Sequence, residues 1–303
     1  STIEAVRTLR DLTGALRLEG IAPHIIGPIL KAIVIREDVI EVAQRLITES
    51  SRLSQSITAR KQEEGLFELG RHNQTVESLG SIVQVVKEEI VEGSAFVIGQ
   101  TESYYILLTN THVVAGIQTV SVRTYEKDPI GEARLIIRHK DNKPLSGDIA
   151  LLMLEKEGKP LAPIQLLAEI PEGTIATLVS GVYDSVVSGH IVVIGDIIIL
   201  LGAESRPGDS GSPYLIFADN GRDVAAIAVH ARPGSIGMRF TPAIRNDMLA
   251  ALDGKPSNFI VDAKAPARAK KEVRRFLEGL GLSASSPTGL IKTLYEIQGI
   301  KEV

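Results

Sequence analysis

The chain has 303 residues, 44% hydrophobic and 23% charged, with a formal net charge of −4. This is enough globular material for one large unit or two domains, and it lacks the basic surplus of a protein that relies on non-specific nucleic-acid binding. The absence of cysteine removes disulfide scaffolds, zinc–thiolate sites and cysteine nucleophiles, so any nucleophile is an oxygen or an amine.

Residues 1–20 show neither the basic start nor the apolar stretch of a secretory signal. The two most apolar runs, 24–35 and 191–201, carry Lys31 and Asp196 and fall short of the ~18–20 residues that cross a bilayer. A cytoplasmic chain without a membrane span is expected. Short helical patterns over 3–18 and 25–35, separated by Gly20 and Pro23, lead into a longer one. In that longer pattern Val39, Val42, Ala43, Leu46, Ile47, Leu53 and Ile57 line one face. A stripe of this kind must pack on the rest of the chain, on itself or on a second copy, so gating, bracing and self-association are its expected roles.

From Ser81 the pattern changes to short runs rich in Val, Ile, Thr and Tyr. Strands are predicted near residues 82, 94, 104, 118, 133 and 148, then, beyond a turn-rich joint at 171–173, near 174, 186, 196, 213, 223 and 237. Two sets of six short strands with no long helix between them predict a mainly-β chain of two six-stranded antiparallel barrels, closed so that no edge is exposed. After Asn246 the helical period returns, with an Ala/Lys/Pro linker over 263–269, a basic helix over 271–280 and a short helix after Ser286. The expected layout is a helical segment over 1–75, a first barrel over 76–171, a second over 172–250, and a linker with helices over 251–303. The basic run of Lys264, Arg268, Lys270, Lys271, Arg274 and Arg275 reads as a solvated helix face.

Three short blocks carry chemistry. In the string Arg206-Pro207-Gly208-Asp209-Ser210-Gly211-Ser212-Pro213, glycines on both sides permit a tight turn that projects Ser210. The backbone of Gly208, Asp209 and Ser210 then forms the candidate oxyanion hole, its donors the N–H groups of Gly208 and Ser210. His112 follows the apolar strand over 104–109, where it can act as a base, and Asp148 precedes the apolar run 149–152, where it can receive the imidazole N–H. Asp141 is a rival acid but lies in a polar turn. Histidines 24, 72, 139 and 190 lack such a strand-end setting and read as surface or packing residues.

The blocks 107–114, 147–151 and 208–213 resemble the signature blocks of chymotrypsin-fold serine proteases, in that family's order of His, Asp, Ser. Residues 81–86 and 93–98 are most similar to HtrA-type and other bacterial or viral trypsin-like enzymes, and the likeness covers roughly 80–247. The resemblance implies a two-barrel fold. It makes His112 general base and then general acid, Asp148 its orienting carboxylate, and Ser210 the nucleophile that forms an acyl-enzyme resolved by water. The chain departs from the family in two respects. A long segment precedes the first barrel strand, so Asp209 needs solvent or a partner other than a freed amino terminus, and the tail is too short and helical for a PDZ domain.

By the same resemblance the substrate pocket has two readings, which stay open. Glu204, six residues before Ser210, would select Arg or Lys, whereas His230, beside Val229, would select Glu or Gln. The expected function is a serine endopeptidase acting on a protein or peptide, its own precursor included, with no metal or cofactor. The alternatives are a latent scaffold or assembly module on the same fold, and an esterase.

Overall fold

The computed structural model describes residues 80–280, apart from 142–146, 158–159, 169, 171–174, 183–185, 195, 201–205, 218–223 and 233–235. The helical segment expected over 1–75, the short helix after Ser286 and Glu204 lie outside the described residues.

Six strands follow one another from the start: β1 (Ile82–Lys87), β2 (Ile90–Gln100), β3 (Tyr104–Thr109), β4 (Thr119–Arg123), β5 (Pro129–His139) and β6 (Ala150–Glu155). They pair in the order β4-β1-β2-β3-β6-β5, and β5 pairs back on β4, so the sheet closes into an antiparallel barrel. The second set comprises β8 (Ile175–Val179), β9 (Val186–Ile194), β10 (Ile197–Leu200), β11 (Pro213–Phe217), β12 (Val224–Arg232) and β13 (Ile236–Met238). These run β11-β8-β9-β10-β13-β12 and close through β11 with β12. The mainly-β, two-barrel expectation is met.

Successive side chains of a strand point to opposite faces, and here both faces are covered. Tyr105 and Leu107 of β3, with Ala150, Leu152 and Leu154 of β6, fill the first barrel. Their neighbours Ile106, Leu108, Leu151 and Met153 face outward into a second apolar layer, shared with Val179, Leu215, Val229 and Met238. Tyr214, Ile198, Ile216 and Ile227 fill the second barrel. The runs therefore read as continuous apolar stretches, because each strand sits between two cores.

Two features were not foreseen. The short β7 (Gln165–Leu166) pairs in parallel with β12, so the chain joins the second sheet ahead of residues 171–173, where the joint between the barrels was expected. Phe259–Val261, in the stretch expected to be linker and helix, forms β14 and pairs with β5. The helices α1 (Pro242–Leu252) and α2 (Ala267–Gly279) lie on either side of β14. Thr241 caps α1 by accepting the Ile244 N–H, with proline in the first turn. Helix α2 begins four residues ahead of its expected start at 271, and it buries Ala269, Val273 and Leu277, the i, i+4, i+8 stripe of one face. The Phe276 ring lies against Gly99, where a Cβ would stand 2.0 Å from it. No helix among the described residues is long and apolar enough to cross a membrane.

Candidate active site

The last residue of β3 and the two that follow it are buried and polar, and each ties this stretch to another segment. Thr109 Oγ1 donates to the Ser94 carbonyl at 2.6 Å, Asn110 Nδ2 to the Asp148 carbonyl at 2.7 Å, and Thr111 Oγ1 to the Ile149 carbonyl at 2.9 Å. The turn bearing His112 is thereby fixed to the segment bearing Asp148. The Asp148 side chain is 0% exposed. Its Oδ1 accepts the His112 backbone N–H at 3.0 Å and its Oδ2 stands 2.5 Å from His112 Nδ1. A carboxylate only accepts, so Nδ1 carries the proton and Nε2 of the neutral ring is left as an acceptor. Asp141 is exposed and meets a histidine only through its backbone, whose N–H donates to His139 Nδ1 at 3.1 Å.

The loop with Ser210 consists of two successive turns. Asp209 N–H donates to the Arg206 carbonyl at 3.1 Å, closing a turn with Pro207 second and Gly208 third at φ 102°. Ser212 N–H donates to the Asp209 carbonyl at 2.9 Å, closing another with Gly211 third at φ 88°. Proline second and a positive-φ glycine third are the marks of type II turns. Gly211 also has no room for a side chain, since a Cβ there would lie 1.7 Å from the Ser94 carbonyl oxygen.

Each backbone polar group in such a segment needs a partner or a purpose. The Ser210 carbonyl accepts from Ser94 N–H at 2.7 Å, and Gly211 N–H donates to the His230 carbonyl at 2.9 Å. The N–H groups of Gly208 and Ser210 have no partner among the described residues. Asp209, expected with them in the oxyanion hole, is corrected on one point: its own N–H is engaged inside the turn. Its carboxylate is buried, with Oδ2 accepting the Arg206 N–H at 2.6 Å and Oδ1 unpartnered among the described residues. That internal bond gives Asp209 a partner without an inserted amino terminus.

The two halves meet over β2. A Cβ at Gly93 would lie 2.6 Å from the Ser210 carbonyl and 2.8 Å from Val113, the residue after His112. Val229 and His230 of β12 run alongside, with His230 N–H on the Ser212 carbonyl at 2.7 Å. The His230 ring is fully buried, with Nδ1 2.9 Å from Tyr214 Oη and Nε2 unpartnered among the described residues. Burial above all, then the positive charge of His112, pushes the His230 pKa from 6.5 to about 3. Burial, and next the charge of Asp209, hold Tyr214 well above its ordinary value. Neither Tyr214 nor Ser94 was legible in this setting from sequence, since both depend on contacts between distant strands.

A histidine that stays neutral down to about pH 3 in the fold, but protonates near 6.5 when unfolded, makes stability depend on pH. The unfolded chain binds the extra proton between these values, so stability falls as pH drops from 6.5 toward 3, by about 1.4 kcal/mol per unit. Denaturant midpoints measured across this window are expected to show that slope in the native chain and to lose much of it in His230→Gln.

No protein-family model and no curated protein sequence matches the chain. Among solved structures it is similar to the serine protease of a human pathogenic astrovirus, at 22% identity and TM-score 0.40 over 55% of this chain and 92% of that one. It is similar to Deg5 at 21% identity and TM-score 0.44, over 59% and 92% of the two chains. With the serine endoprotease of Yersinia pestis the identity is 18% and the TM-score 0.42, over 61% and 67%. These are likenesses of fold.

Proposed function

We propose that the chain is a serine endopeptidase. One observation carries the reading: the buried Asp148–His112 pair and the Ser210 loop are anchored to the same strand, and the two uncommitted N–H groups of that loop belong to Gly208 and Ser210. Ser210 Oγ attacks the scissile carbonyl while His112 Nε2 takes its proton. Asp148 holds the resulting imidazolium, and the Gly208 and Ser210 N–H groups receive the oxyanion. His112 returns the proton to the leaving amine, and water, deprotonated by the same nitrogen, releases the acyl group.

His230 favours the Glu or Gln reading of the pocket over the Arg or Lys one. When the Tyr214 phenol donates to Nδ1, Nε2 carries a hydrogen that a side-chain carbonyl or carboxylate can accept, and a neutral donor offers a cation nothing. Cleavage of its own precursor and gating by residues 1–75 belong to the same proposal.

Intact-mass analysis after treatment with a fluorophosphonate tests it. The expected result is a single adduct on the full chain that is absent from Ser210→Ala, together with cleavage of peptides bearing Gln or Glu before the scissile bond ahead of their Arg counterparts. Faster labelling of a chain beginning at residue 76 would carry the gating element. A folded chain, full-length or shortened, that takes up no adduct would leave the scaffold alternative in front.

A further inference from the structure

The nucleophile loop is held from below by a residue of the other barrel. Ser94, fully buried in β2, meets the loop at two points. Its backbone N–H donates to the Ser210 carbonyl at 2.7 Å, and its hydroxyl donates to the Gly208 carbonyl at 3.4 Å. The Gly208 carbonyl belongs to the peptide unit between Gly208 and Asp209, whose N–H donates to Arg206. That unit is therefore fixed at both ends. It also joins the two peptide units that carry the N–H groups assigned to the oxyanion, those of Gly208 and Ser210, so a displacement of it would change where the two donors stand relative to each other.

The surroundings are shaped to keep the hydroxyl in place. A Cβ at Gly181, in the second barrel, would lie 2.7 Å from Ser94 Oγ, and Gly181 N–H donates to Ser212 Oγ at 3.4 Å. The Ser94 carbonyl is occupied by Thr109 Oγ1, from the strand that leads to His112. One residue thus joins the histidine strand, the serine and the peptide between the oxyanion donors.

We infer that Ser94 is a positioning residue for the oxyanion hole, acting through its hydroxyl on the Gly208–Asp209 peptide; the inference rests on the protease reading above. The hydroxyl touches no substrate atom. Its loss therefore weakens stabilisation of the tetrahedral state while leaving substrate binding in place, a smaller effect than loss of an oxyanion donor, which costs about 10²–10³ in kcat.

The test compares Ser94→Ala with the native chain on a peptide substrate, on a peptidyl boronate that forms a tetrahedral adduct with Ser210, and in thermal unfolding. Expected are a fall in kcat of about ten- to a hundredfold, KM within about twofold, a parallel loss of boronate affinity and a Tm lower by only about 2–4 °C, the cost of one hydrogen bond. The isosteric pair Ser94→Thr and Ser94→Val repeats the comparison with the hydroxyl as the difference, so it decides the matter should the alanine chain not fold. Threonine is expected to stay near the native rate and valine to behave as alanine. Equal rates for the pair, or Ser94→Ala within about twofold of native, would overturn the inference alone. A native chain that takes up no fluorophosphonate overturns the protease reading and this inference with it.

Discussion

Ser210→Ala is expected to lower kcat for peptide hydrolysis by about 10⁶-fold while the folded chain stays intact. The size follows from the mechanism. Without Oγ no acyl-enzyme forms, and the remaining groups act only on water. The Asp148–His112 pair and the Gly208 and Ser210 N–H donors stay in place, so a residual rate above that of uncatalysed hydrolysis is expected. Stability should be little changed, because Ser210 is held through its backbone to Ser94 and its side chain is only partly buried. Steady-state kinetics alongside thermal unfolding check both halves. A variant that keeps more than about a hundredth of the native rate would place the chemistry elsewhere.

Asp148→Asn is the second large effect, a fall of about 10⁴-fold in kcat with KM nearly unchanged. Both carboxylate oxygens are used, one on the His112 backbone N–H and the other on Nδ1. The amide is nearly the same shape but offers one acceptor and one donor. Keeping the backbone bond through the amide oxygen places the NH₂ group against Nδ1, which then has to accept. The proton moves to Nε2, and the ring can no longer take one from Ser210. The negative charge that stabilises the imidazolium is lost as well. Single-turnover acylation measured against pH, with folding monitored in parallel, separates this from a structural defect, and a loss below about tenfold would contradict the assigned role.

Much of the fold was legible because each strand alternates between two apolar environments and is bounded by turn residues, which makes runs such as Tyr104–Thr109 and Ala150–Glu155 easy to recognise. The strands β7 and β14, of two and three residues, were not. They are too short to carry a period, and they exist because β12 and β5 offer free ladder positions to them. In the same way, α2 starts inside the stretch expected as a linker because Ala269 begins the stripe that Val273 and Leu277 continue against the core.

The candidate site divides along the same line. Ser210 between two glycines, and His112 and Asp148 at strand ends, are local patterns, and local patterns reside in sequence. By itself the sequence determined the element types, the two sets of six strands and the order of the three blocks, since these depend on side-chain period, turn chemistry and backbone freedom over a few residues. Tertiary structure decided what those residues meet. It set Asp148 rather than Asp141 on His112, engaged the Asp209 N–H inside its own turn, put Tyr214 on His230 and seated Ser94 under the Gly208 carbonyl. Each of these is a hydrogen bond between groups brought together by barrel closure, where burial makes an unpaired polar atom costly and so fixes the partner.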